Sequence, residues 1–116
     1  MRILIGAGCL LLVASCASMN EKRAAGPERT FTSTKPVNEV AECVLFAWQN
    51  QSLMGAHYGA TIQPLQGGGR TVISAGEVEF ADFASVTAGT TVKTYFQSGL
   101  MDWRKNRRNE AVKSCL

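Results

Sequence analysis

The chain has 116 residues and a net charge of +3, which suits one small domain and is too weakly basic to point to a nucleic-acid partner. One histidine and four cysteines exclude most nucleophilic and metal-assisted chemistry, since those reactions need a nucleophile beside a base or several converging donors. No cofactor and no metal are expected.

Met1 and Arg2 precede an apolar run from Ile3 to Val13, and Ala14 and Ser15 stand directly before Cys16. The run contains Gly6 and Gly8 and is shorter than the about 20 residues that a helix needs to cross a bilayer. It reads as a secretory signal, residues 1–15, removed on export. Val13-Ala14-Ser15-Cys16 resembles the lipobox of bacterial lipoproteins. That resemblance implies diacylglycerol on the Cys16 sulfur, cleavage after Ser15 and a further acyl chain on the new amino terminus. An ordinary secreted protein whose signal ends near a cysteine is the alternative. Cys9 is a poorer lipidation site, because Gly6 occupies the aliphatic position. Each buried methylene of an acyl chain contributes about 0.8 kcal/mol, so two or more chains anchor stably. By the same resemblance, Ala17 and Ser18 after the cysteine, rather than aspartate, favour the periplasmic face of the outer membrane, with the inner membrane kept open.

With Cys9 discarded and Cys16 acylated, Cys43 and Cys115 remain. In an oxidising compartment an even pair is expected to form a disulfide. Two buried thiols or a metal pair are the alternatives, but His57 lies beside Tyr58 in a glycine-flanked segment and offers a metal little company.

Residues 16–35 are expected to be the acylated cysteine and a tether. From 17 to 35 the residues show no helical or strand period, and a flexible coil of about twenty residues reaches roughly 25 Å. The domain then spans 36–116. Pro36 suits the first turn of a helix. Val40, Val44, Ala47 and Trp48 recur on one helical face with Ala41 and Cys43 beside them, predicting an amphipathic helix over 37–52. Glu39 and Glu42 favour its positive end. Trp48 in such a stripe reads as core.

Short β-like runs follow. Ala60 to Leu65 predicts an edge strand, because Pro64 is poorly tolerated in a central one. Gly67-Gly68-Gly69 is a turn, Thr71 to Ser74 a strand, and Ala75-Gly76 a reversal that uses positive φ. Val78 to Val86 and Thr91 to Phe96 complete a three- to four-stranded antiparallel meander. Val78 and Phe80 fall on one face of their strand and Phe83 on the other, so either a bulge lies near Ala81-Asp82 or both faces of the sheet are partly covered. Leu100 to Leu116 is charged and helical in pattern. Arg104, Arg107 and Arg108 share its apolar stripe with Ala111, Val112 and Cys115, and burying guanidinium groups is costly unless they are paired. A break with Asn109 capping a short last helix is the preferred resolution; arginines reaching past the sheet edge is the other. The fold class is α+β with one disulfide.

Chemistry-bearing features are few. Glu77, Glu79 and Asp82 cluster in sequence, but Glu77 and Glu79 are read as a solvated strand face rather than a carboxylate pair. Gly67-Gly68-Gly69-Arg70 lacks the ending of a phosphate loop. Trp103, Arg104, Lys105, Arg107 and Arg108 form the one concentrated polar feature, either a solvated basic face pairing with the acidic strand residues, which is the preferred reading, or a contact for an anionic partner such as headgroups or an acidic protein. The whole arrangement resembles the small lipoproteins of uncharacterised family found in Gram-negative bacteria and their mobile elements, a resemblance that transfers no activity. The expected role is a non-enzymatic accessory or binding protein tied to the membrane through Cys16 and touching an envelope protein. A periplasmic inhibitor, immunity or phage-exclusion lipoprotein is the alternative, and a small hydrolase using Glu77, Glu79 or Asp82 the least favoured.

Overall fold

The computed structural model describes residues 18–116. The signal, the lipobox and Cys16 lie outside the described residues. Helix α1 covers residues 18–25. Strand β1 (Arg29–Ser33), helix α2 (Val37–Asn50), the short strands β2 (Ser52–Leu53) and β3 (Ala56–His57), strands β4 (Ala60–Pro64), β5 (Arg70–Ser74), β6 (Glu79–Val86) and β7 (Gly89–Phe96), and helix α3 (Asp102–Lys113) follow in order. Strands β1, β7, β6, β5 and β4 form one antiparallel sheet in that spatial order, and β2 pairs with β3 in a separate hairpin.

The fold is α+β, as the alternation of periods predicts. Helix α2 begins just after Pro36, whose backbone is extended, with φ −62° and ψ 152°. Its buried side chains are Val40, Ala41, Val44 and Trp48, which places Trp48 in the core as its stripe implies. Strand β4 is an edge, where Pro64 removes no ladder bond that a central strand would need. The β5–β6 reversal passes through Gly76 at φ 74°. Gly69 is needed for close approach: a side chain there would collide with the Phe83 carbonyl.

Register across β6 and β7 is unbroken from Glu79↔Phe96 to Val86↔Gly89, so no bulge explains the parity change between Phe80 and Phe83. Both faces of the sheet are covered. On one face Phe31, Ala60, Val72, Ala81, Phe83 and Val92 pack with Val40, Val44 and Trp48 of α2 and Val112 of α3. On the other, Phe80 and Tyr95 stack with ring centroids 4.7 Å apart and pack with Met19 of α1.

This corrects the expectation of a tether over 17–35. Residues 18–25 are helical, and β1 adds an edge to the meander by pairing with β7 from Arg29↔Thr94 to Ser33↔Thr90. The reason is local and tertiary together. Gly26 at φ 103° closes α1, its N–H reaching the Lys22 carbonyl at 3.2 Å. Arg23 then pairs with Asp82, Nε to Oδ2 at 2.7 Å, and its guanidinium lies 5.0 Å from the centre of the Phe80 ring. That hydrogen bond to Asp82 pushes the Arg23 pKa up.

The second correction concerns α3, which runs unbroken through Asn109. Asn109 is buried and accepts a hydrogen bond from Thr94 Oγ1 at 3.0 Å. It fastens α3 to β7 instead of capping a new helix. Cys43 and Cys115 are bonded, with Cα atoms 5.7 Å apart and 72 residues of separation. The bond ties α2 to the chain just beyond α3.

Two outcomes follow. Cys43→Ser and Cys115→Ser should each lower unfolding stability by about 4 kcal/mol, the loop-closure value for a link of this span, and each should abolish the same non-reducing gel shift; denaturant titration and the gel check both. Burial, reinforced by the Asp82 charge, pushes the Tyr95 phenol up. The folded state therefore holds that proton more tightly than the unfolded chain does. The resulting stability is complete below the ordinary tyrosine range and is lost as pH rises through the raised value. Tyr95→Phe should flatten this alkaline loss in thermal melts.

Candidate functional site

The basic segment of α3 divides between the interior and the surface. Arg104 and Arg108 lie one turn apart and reach the same buried carboxylate, Glu79 at the start of β6. Arg108 Nε donates to Glu79 Oε1 at 2.7 Å, and Arg104 donates through Nε and Nη2 at 3.1 and 2.9 Å. Arg108 Nη1 also donates to the Trp48 carbonyl at 2.9 Å and to Gln51 Oε1 at 3.3 Å, while Trp48 Nε1 donates back to the Arg108 carbonyl at 3.3 Å. Helix α2 has no basic residue in its own last turn. Arg108 supplies the missing cation where that helix leaves carbonyls open, and Arg107 donates to the Ser52 carbonyl just beyond at 2.9 Å.

Burial pulls the Arg108 pKa down, and the nearby Glu79 opposes that effect. Its guanidinium lies 5.0 Å from the Trp48 ring centre, and Nη2 has no hydrogen-bond partner among the described residues. Arg104 is likewise held, 4.5 Å above the Tyr58 ring. Arg104 and Arg108 are thus structural cations paired with an acidic strand residue, and of the two readings of the cluster the anionic-partner contact is left to its other members.

The acidic cluster dissolves in the same way. Glu79 is fully buried rather than solvated, Asp82 is buried on the opposite face of the sheet against Arg23 and accepts a bond from Thr71 Oγ1 at 2.7 Å, and Glu77 is exposed in the turn. No two of these acids share a site. His57 is exposed on β3. Arg70 donates to Asn38 Oδ1 at 3.1 Å, so the glycine turn before it serves contact between β5 and α2. Among the described residues, no group of three or more histidine, cysteine, aspartate or glutamate side chains is placed to hold a metal ion.

What remains on the surface is Trp103, Lys105 and Arg107. Trp103 is exposed and its Nε1 donates to Met101 Sδ at 3.1 Å. Trp103 and Arg107 line an open groove with Asn106, Glu110 and Met54. Met54 was not singled out by any sequence pattern. It sits at the tip of the β2–β3 hairpin, between the paired residues Leu53 and Ala56, with φ 52°, followed by Gly55 at φ 81°. Two successive positive φ values make a two-residue reversal that normally takes asparagine or aspartate before glycine. A methionine there costs about 1 to 2 kcal/mol of backbone strain, yet its side chain is 84% exposed. Gly55 is the signal that a turn lies here; nothing in the sequence says that methionine would be its other half.

No family model matches the chain, and neither a curated protein nor a solved structure matches it.

Removing one partner from a buried ion pair costs about 3–5 kcal/mol, because the other charge stays buried and unpaired. Glu79→Ala should therefore destabilise the domain by that amount, whereas replacing Glu79, Arg104 and Arg108 together by leucine or methionine should recover most of the loss. Chemical denaturation of the two variants checks this.

Proposed function

We propose that this is a lipid-anchored envelope protein that works by contact, in a non-enzymatic accessory or binding role at the periplasmic face of the outer membrane. The observation that carries the reading is Val13-Ala14-Ser15-Cys16 at the end of a short apolar run, where the thiol is placed for a thioether to lipid. Among the described residues no helix is long and apolar enough to cross a membrane, so an anchor of this kind would fall to the acyl chains.

Support for contact rather than catalysis comes from how the polar side chains are used. Glu79 and Asp82 are each engaged with arginine, and Cys43 and Cys115 are bonded to each other. The exposed apolar side chains Met54, Met101 and Trp103 are surface without a structural duty of comparable weight.

Cys16→Ser should abolish incorporation of labelled fatty acid and release or stall the precursor in cells. Continued labelling of that variant overturns the anchored reading. A deletion strain with specific sensitivity to one toxin, phage or hydrolase would move the role to that of an inhibitor or immunity protein.

A further inference from the structure

We infer that the end of the domain carrying Met54, Met101 and Trp103 lies against the headgroups of the membrane that holds Cys16, an inference that rests on the anchored reading above. Six large apolar side chains are exposed among the described residues: Phe46, Met54, Tyr58, Val86, Met101 and Trp103. Four of them gather at one end of the five-stranded sheet. Glu79 and Phe96 pair at that end. Arg104 joins Glu79 to Tyr58 there, Met101 immediately precedes α3, and Met54 faces Trp103 across the groove.

Helix α1 crosses the opposite face of the sheet, with Met19 and Asn20 beside Gln63 to Gln66 and Lys22 turned toward the same end as Phe96. Its Ser18 and Lys22 line a cavity with Tyr95 and Phe96, and Lys22 Nζ donates to Ser98 Oγ at 3.3 Å. Met101 is three residues further along. Cys16 precedes Ser18 by two residues, which extend at most about 7 Å at 3.3–3.6 Å per residue. The backbone of an acylated Cys16 would therefore stay within that distance of Ser18, with only its side chain and the lipid's glycerol between it and the bilayer, where a free tether of roughly 25 Å would have left the domain's orientation open.

The side chains at this end suit an interface. Trp103 pairs a flat apolar ring with an N–H, the amphipathic combination that settles at headgroup depth. Met54 and Met101 are unbranched and 84% and 65% exposed. The strained turn that projects Met54 keeps an apolar side chain in water at a position where asparagine would relieve the backbone. Arg107 lies one turn from the ring on the same groove, but Asp102 and Glu77 lie at the same end, so apolar contact and anchor length carry the inference rather than net charge.

The test uses the full acylated chain in vesicles of phosphatidylethanolamine and phosphatidylglycerol with bromine on the upper acyl carbons. The chain should float with the vesicles and lose tryptophan emission. Trp103→Phe, which leaves only the buried Trp48, should show none of that loss. Met54→Asn should keep or raise the thermal midpoint while reducing the quenching, a pairing that misfolding cannot produce. Flotation with equal quenching in the wild type and Trp103→Phe, or with none in either, overturns the inference and leaves the anchored reading standing. A Trp103 blue shift that grows with protein concentration without bromolipid quenching assigns this end to a second copy and also overturns it. Absence of acyl label and of flotation overturns both.

Discussion

The carboxylate of Glu79 is the point on which the two helices and the sheet agree. It is fully buried at the start of β6, and it neutralises an Arg108 that is equally buried on α3. The same guanidinium closes the carboxyl end of α2 through the Trp48 carbonyl. One residue of α3 thus fixes the spacing of both helices to each other and to the strand beneath them. Buried ion pairs are poor sources of net stability but severe when broken. The arrangement therefore selects one helix placement more than it deepens the well, and a hydrophobic substitute would give up that selectivity.

A strand that carries phenylalanine on both faces demands two covers. Phe83 finds its cover in α2 and α3, and Phe80 finds it in Met19 and Arg23 of α1. The helix and edge strand that precede Pro36 are the less legible part of the fold because their own residues barely declare them. The described part of helix α1 is mostly polar, and β1 has an alternating pattern only from Phe31 to Ser33. Both take their places through tertiary partners, α1 through Arg23 and Met19 and β1 through β7. Two signals were nonetheless present. Ala24-Ala25-Gly26-Pro27 is a helix ending, and the parity conflict in β6 called for a second layer. The amphipathic α2, the edge strand at Pro64 and the disulfide were legible because each rests on periodicity, on a missing N–H or on simple cysteine parity.

The surface was legible only in part. Sequence spacing placed Arg104 and Arg108 in an apolar stripe and correctly raised the cost of burying them, but an intrahelical pattern carries no information about a carboxylate 25 or 29 residues away. The assumed remedy, a helix break, was a local answer to a problem that the fold answers across the sheet. Trp103 stood out by type. Met54 did not, because a left-handed methionine leaves no trace in composition or period.

The end of the edge strand β1 and the carboxyl end of the described chain also meet. Ser33 Oγ donates to the Leu116 carbonyl at 3.1 Å and Lys35 Nζ to the Cys115 carbonyl at 3.4 Å, beside a disulfide whose second thiol is one residue from the end of the sequence. A chain that emerges amino terminus first presents β1, α2 and Cys43 before their closing partners exist. Strand β1 must wait for β7, Glu79 for α3, and Cys43 for Cys115. Closure of this domain accordingly waits until β7, α3 and Cys115 are all present, and it joins the sheet edge, the buried ion pair and the disulfide in one late event.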